Sequence, residues 1–304
     1  MSQLPLPHPT RMLGDSGIAI SSIAWGMWRL AEGNRTVSEA THLVNTALDA
    51  GITLLDTADI YGFDGKSGFG DAEALLGQVL AGDPSLRGRM VLATKGGILP
   101  PLPYDQSTTY LAEAIDASLR RMQVDCIDLW QVHRPDILAH PQEVARALDD
   151  AVAAGKVRTL GVSNFTIHQV AALSSFLGHK LVSTQPEISP LRIACLENGE
   201  LDQAMTMGLV PLAWSPLGGG RLADPRSASE KAVAATLDSV ARDQGVSRTV
   251  AAYSWLMAHP AGIVPIIGSQ TPARIVEGLA AGQVRWTKQE WYAVLVAARG
   301  EPLP

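Results

Sequence analysis

The chain has 304 residues, of which 46% are apolar and 18% charged, and its formal net charge is −6. That balance supports a sizeable core and argues against disorder. With no Lys/Arg cluster it also argues against nucleic acid as a partner, while leaving room for a small anion held by one or two cations. The two cysteines, Cys126 and Cys195, lie in no CxxC motif and near no spaced His pair, so neither a disulfide framework nor a zinc site is expected. Cys126, at the entry to an apolar run, reads as a small core residue. Residues 1–10 lack a basic stretch followed by an apolar one, and no apolar run approaches about 18 residues. A soluble, cytoplasmic protein is the expectation.

In chain order, residues 11–20 read as a hairpin, with Gly14-Asp15-Ser16-Gly17 as its turn. A repeating unit follows, in which a short apolar run ends in polar or glycine residues and a segment of helical period comes next. The first run, Ile23–Trp25, ends at Gly26-Met27-Trp28, and Ser38 caps a helix that stops at Gly51. The second, Thr53–Leu55, ends at Asp56 and precedes a helix over 70–81. The third, Met90–Thr94, ends at Lys95 and precedes a helix over 107–122. The fourth, Cys126–Val132, ends at His133, and Pro141 opens the next helix.

The fifth run, Val157–Val162, ends at Ser163-Asn164 and leads into a helix from Thr166 to about Phe176. The sixth, Leu181–Thr184, ends at Gln185 before a helix over 199–207. The seventh, Leu209–Ala213, ends at Trp214-Ser215, and the loop Gly218-Gly219-Gly220 leads into one helical region from about 229 to 258. The eighth, Ile263–Ile267, ends at Gly268-Ser269, and a helix starts at Pro272. Residues 287–299 form an extra C-terminal helix.

Eight strand–helix units with no linker between them predict one (β/α)8 TIM barrel over residues 1–304, with an N-terminal hairpin cap and extra C-terminal helices. Short, almost wholly apolar runs suit parallel strands covered on both faces. A doubly wound sheet needs a glycine-rich first turn, and no GxGxxG or GxxxxGK follows any run. In such a barrel the chemistry sits at the C-terminal ends of the strands. Asp56, Lys95 and His133 stand at three of those ends, and Tyr61 lies in the loop after the second.

A phenol has a free pKa of about 10 and is an acid at neutral pH. Lys95 is the cation that can lower it. Asp56 can pair with Lys95 and offset the cost of burying it. His133 can orient a substrate oxygen or share the proton. Together they make an acid suited to protonating a developing alkoxide, as carbonyl reduction requires.

Over essentially its whole length the chain resembles an aldo-keto reductase. The motifs that carry the likeness are Asp56-Thr-Ala-Asp-Ile-Tyr61-Gly62, Ala93-Thr-Lys95-Gly-Gly97, Asp128-Leu-Trp-Gln-Val-His133-Arg-Pro-Asp136, Gly161-Val-Ser-Asn-Phe165, Trp214-Ser-Pro-Leu217 and Ile267-Gly-Ser269 with Arg274. The resemblance implies hydride transfer from a nicotinamide cofactor to an aldehyde or ketone. It casts Tyr61 as general acid, Lys95 as the residue lowering its pKa, Asp56 as the support of Lys95, and His133 as the group orienting the carbonyl.

It further implies that Ser163, Asn164 and Gln185 hydrogen-bond the carboxamide, whose neutral polarity suits them, and that Trp214 stacks on the nicotinamide. Gly26, Met27, Asp56, Ser215, Pro216 and Leu217 are expected to line the cofactor, with Gly218 to Arg221 over the pyrophosphate. Around Gly268 and Ser269, Thr271 is read as the cap of a helix beginning at Pro272, and that helix end favours an anion. Arg274 is then placed to grip a 2′-phosphate, with Glu277 beside it, and the cofactor expected is NADP(H). Many relatives carry Lys where Gly268 stands and Asn where Gly278 stands, which removes one phosphate cation and one adenine contact.

For substrate, Trp28, Tyr61 and His133 line the pocket, with Phe63 and Trp25 as further candidates. An aromatic mouth with few charges fits uncharged carbonyl compounds. The partners expected are small molecules, not nucleic acid or membrane, in a monomer or small homo-oligomer. An alternative is an NADP-binding regulatory barrel with little turnover. A metal-dependent hydrolase would need more ligands at the strand ends than Asp56 and His133.

Overall fold

Residues 3–303 are described in a computed structural model. The chain first makes an antiparallel pair, β1 (Thr10–Met12) and β2 (Ala19–Ser21), with Arg11 opposite Ile20. The eight strands that follow are β3 (Ala24–Gly26), β4 (Leu54–Asp56), β5 (Val91–Gly96), β6 (Ile127–Val132), β7 (Val157–Ser163), β8 (Leu181–Gln185), β9 (Val210–Ala213) and β10 (Val264–Ile267). All pair in parallel and in chain order, and β10 closes on β3 to complete a barrel. The helices between them are α1 (Val37–Asp49), α2 (Asp71–Gly82), α3 (Thr108–Met122), α4 (Pro141–Ala153), α5 (Ile167–Ser174) and α6 (Glu200–Met207). After β9 come α7 (Ala228–Asp243) and α8 (Arg248–Met257), and after β10 come α9 (Pro272–Gly278) and α10 (Lys288–Arg299).

Two apolar layers hold this arrangement together. Inside the barrel Ala24, Leu54, Ala93, Leu129, Leu212 and Ile266 form one cluster, which Leu13, Ile18 and Ile20 of the hairpin close from below. Ser21 fixes that cap, because its hydroxyl accepts from the Thr53 N–H at 2.9 Å at the start of β4. A larger cluster fills the space between strands and helices, with Trp25, Trp130, Trp255 and Trp286 buried in it. No helix among the described residues is long and apolar enough to cross a membrane.

Several local expectations change. The first helix starts earlier than Ser38: Thr36 and Glu39 form a capping box, a signature readable in Thr-x-x-Glu. The helical region expected over 229–258 is two helices, because Gly245 adopts φ +67°, which ends a helix, and Ser247 caps a new one. Cys126 is partly exposed and lies outside the core, whereas Cys195 is buried.

Candidate active site

Strand pleating decides which residues reach the mouth. Side chains alternate faces along a strand, so interior positions recur every second residue. Two positions beyond the inward Leu54, Ala93, Leu212 and Ile266 stand Asp56, Lys95, Trp214 and Gly268, and four beyond Leu129 stands His133. Tyr61 reaches the same place from a turn, pinned where its carbonyl accepts from the Ala72 N–H at 3.1 Å.

Lys95 is fully buried. Its ammonium donates to Asp56 Oδ2 at 2.7 Å and to the Thr57 carbonyl at 2.7 Å. The other Asp56 oxygen accepts from Gln185 Nε2 at 3.0 Å. A buried pair is tolerable when hydrogen bonds use up its remaining sites, as they do here. The Lys95 nitrogen lies 5.0 Å from the centre of the Tyr61 ring. The His133 imidazole meets that ring edge-on, with centroids 6.0 Å apart.

The electrostatics differ from expectation at Tyr61. Burial pushes its pKa up, Lys95 pulls it down and Asp56 pushes it up again, and the balance lies above the ordinary phenol value. Lys95 therefore offsets burial without overcoming it, and the hydroxyl keeps its proton at neutral pH. Burial pulls Lys95 down, but Asp56 and Tyr61 more than compensate, so it stays protonated. Burial, then the positive charges of Lys95 and Arg134, hold His133 well below its usual value, leaving a neutral imidazole. Its Nδ1 has no protein partner among the described residues.

On the far side of the mouth, Ser163 Oγ donates to the Gln185 carbonyl at 2.9 Å. Asn164, at φ +59°, donates to Ser163 Oγ at 2.9 Å and to the His133 carbonyl at 3.2 Å. Its side-chain oxygen accepts from Trp214 Nε1 at 3.0 Å, which fixes the plane of the indole. All these groups border one cavity of about 900 Å³ that extends past Ser215, Pro216 and Leu217 to Gly268, Ser269, Arg274 and Glu277.

A model of the aldo/keto reductase family matches residues 22–296. The chain belongs to that family. It is 75% identical over 304 residues, the whole of both chains, to the 6-dehydroglucose reductase of Novosphingobium aromaticivorans. It is 36% identical over 294 residues, covering 93% of this chain and 96% of the other, to the 6-dehydroglucose reductase of Agrobacterium fabrum. Its fold matches that of Tm1743, a thermostable aldo-keto reductase solved with the inhibitor epalrestat. The TM-score is 0.82 at 23% identity, covering 95% of this chain and 99% of that one. The chain is thus an oxidoreductase of a family that interconverts carbonyls and alcohols.

In this aldo-keto reductase the cavity also departs from the sequence reading. Met27 is fully buried in the outer core, and Trp25, likewise buried, donates Nε1 to the Ser269 carbonyl at 3.0 Å. Gly26 and Phe63 line the cavity, but Met27, Trp25, Gly218 and Arg221 do not. Arg221 turns back to the Gly218 carbonyl at 2.9 Å and to Glu230 at 3.3 Å. The Thr271 side chain makes no capping bond. The Thr271 N–H donates to Ser269 Oγ at 3.2 Å instead. The helix it opens is seven residues long and begins with a proline that has no N–H, so any phosphate site there rests on Arg274.

The mouth is more charged than its aromatic residues suggest. Arg29, Glu32, Arg35 and Arg134 all line it. Arg29 lies 5.1 Å over the exposed Trp28 ring, Arg35 donates to the Leu30 carbonyl at 2.8 Å, and Arg134 lies 6.0 Å over Trp214. Thr249 and Tyr253 of α8 also reach the cavity. No sequence motif marks them, because only the packing of α8 against the barrel brings them there.

Proposed function

We propose that this enzyme uses NADPH to reduce the aldehyde of a dehydro-hexose of the 6-dehydroglucose type to the primary alcohol, with Tyr61 as proton donor. The observation that carries the reading is the buried Lys95 ammonium, held by Asp56 and Thr57 beside the Tyr61 ring. The substrate class draws on the N. aromaticivorans relative, which matches this chain end to end. Arg29, Glu32, Arg35 and Arg134 at the mouth supply donors and acceptors that suit a polyhydroxylated compound better than an apolar one.

The cavity residues fit a nicotinamide dinucleotide. Nothing lies within 4 Å of where a Cβ on Gly268, Gly219 or Gly220 would stand, so the backbone there is open to close approach. Arg274 is exposed and has no side-chain partner among the described residues, leaving it free for a phosphate. The bound cofactor supplies the hydride to the carbonyl carbon. The Tyr61 hydroxyl gives its proton to the carbonyl oxygen, and Lys95 balances the phenolate left behind. Neutral His133 directs an N–H at the same oxygen. Trp214, its plane set by Asn164, offers a flat face to the nicotinamide ring.

The test follows NADPH oxidation with 6-dehydroglucose and a panel of simple aldehydes and ketones. Tyr61→Phe is expected to bind NADPH as before and to lose turnover by about 10²–10⁴-fold. Undiminished turnover in that variant removes Tyr61 from the acid role. Simple aldehydes reduced while the sugar aldehyde is refused would overturn the substrate assignment.

A further inference from the structure

The mouth carries three arginines, Arg29, Arg35 and Arg134, against one carboxylate, Glu32, in a chain whose net charge is −6. Two of the three are engaged. Arg29 Nε lies 3.7 Å from Glu32, and Arg35 donates to the Arg29 carbonyl at 3.0 Å and to the Leu30 carbonyl at 2.8 Å. Arg134 is different. Its half-buried side chain makes no hydrogen bond or ion pair with any described residue, and its guanidinium carbon stands 6.0 Å from the centre of the Trp214 ring. The backbone beneath it is fixed. The His133 N–H donates to the Gly96 carbonyl at 2.8 Å, the Arg134 carbonyl accepts from Nε2 of the buried Gln106, and Pro135 restricts the conformation at position 134. The fold thus holds a cation at the mouth, next in sequence to His133, and gives it no counter-charge.

We propose that the enzyme also reduces aldehydes that carry a carboxylate, with Arg134 holding the carboxylate while the aldehyde meets Tyr61 and His133. A sugar hydroxyl can accept a hydrogen bond from the guanidinium but leaves its charge uncompensated. A carboxylate does both, and its two oxygens match the planar fork. The carboxylate has to lie a short chain from the reacting carbon, because Asn164 links the Trp214 indole, at 3.0 Å, to the His133 carbonyl, at 3.2 Å. In the reaction a hydride from the cofactor adds to the aldehyde carbon and a proton to its oxygen. The product is a primary alcohol, the cofactor is oxidised, and the carboxylate is unchanged. The inference rests on the reading of Tyr61 and His133 as the partners of the carbonyl, and it is independent of the sugar assignment.

The test compares succinic semialdehyde with its methyl ester at saturating NADPH. The two share a chain and an aldehyde and differ in charge. The parent is expected to show a kcat/KM about 10-fold higher for the semialdehyde than for the ester. Arg134→Gln, which removes the charge and keeps an amide donor, is expected to lower that ratio by about 5- to 20-fold, at the modest end for a charge-assisted contact because the mouth is open to solvent. Both substrates are read on the same protein, so a partly folded variant leaves the ratio untouched. No turnover of the semialdehyde, a parent that does not favour it over the ester, or a ratio that survives Arg134→Gln would each overturn the proposal. Two controls run alongside keep the readings apart. Refusal of 6-dehydroglucose strikes only the sugar assignment, and Tyr61→Phe, if it reduces both probes as the parent does, strikes the shared reading of the site.

Discussion

Arg274 lines the cavity and Lys95 lies behind its wall, against the Tyr61 ring, and the two cations are held in opposite ways. Lys95 is fully buried and its ammonium is spoken for by Asp56 and Thr57. Arg274 is exposed and pairs with no side chain among the described residues. The contrast fits the roles proposed for the two charges. A cation that supports proton transfer must keep one geometry and one protonation state through the reaction, so the fold supplies its counter-charge. A cation that binds a phosphate must have its counter-charge missing until the ligand arrives.

That contrast gives opposite expectations for mutation, and the largest effect falls on the buried pair. Asp56→Ala strands a buried ammonium and is expected to lower stability by about 3–5 kcal/mol in denaturant unfolding. Asp56→Ala with Lys95→Met is expected to cost less than the sum of the two single changes. Additive losses would mean that the pair is not the unit described here.

Arg274→Ala should leave stability within about 0.5 kcal/mol. It should weaken NADPH by about 10- to 100-fold, as expected for a lost charge-assisted contact, while barely affecting NADH. Equal weakening of both cofactors in a fluorescence titration would erase the distinction between the two cations.

The smallest effect concerns protons. His133 in the folded chain titrates well below its usual value, chiefly because it is buried. The unfolded chain therefore binds more protons below about pH 6.5, so this contribution is fully present above that pH and is lost as the pH falls. Asp59 works in the other direction. Burial, then Glu73, raises its pKa well above the carboxylate range, so its contribution is present at low pH and lost as the pH rises. Replacing one group at a time separates them. Between about pH 6.5 and 5 the stability advantage of the parent over His133→Gln is expected to fall by on the order of 1–2 kcal/mol. An advantage that stays flat with pH would mean that the imidazole is not held neutral.

Much of the half proposed to be catalytic was legible in the sequence. Asp56, Lys95 and His133 end apolar runs, and the pleat makes a run's last inward position predictable from its phase. The other half was less so. Arg134 follows His133 directly in sequence, yet only the fold lays it over Trp214. Met27 and Trp28 are neighbours in the first loop, yet one is fully buried and the other is 59% exposed. Position in a loop does not tell which way a side chain turns, because loops lack the periodicity that assigns faces in strands and helices.

By itself, the sequence determined the repeat of strand and helix, the strand ends that carry ionisable groups and the family to which the chain belongs, since periodicity and local motifs encode all three. Tertiary structure alone decided which groups are paired and which are left open. It set the balance at Tyr61, where burial outweighs the pull of Lys95. It also turned Arg221 away from the cavity and Tyr253 toward it. Burial and long-range contact depend on where distant segments meet, and no window of the sequence contains that information.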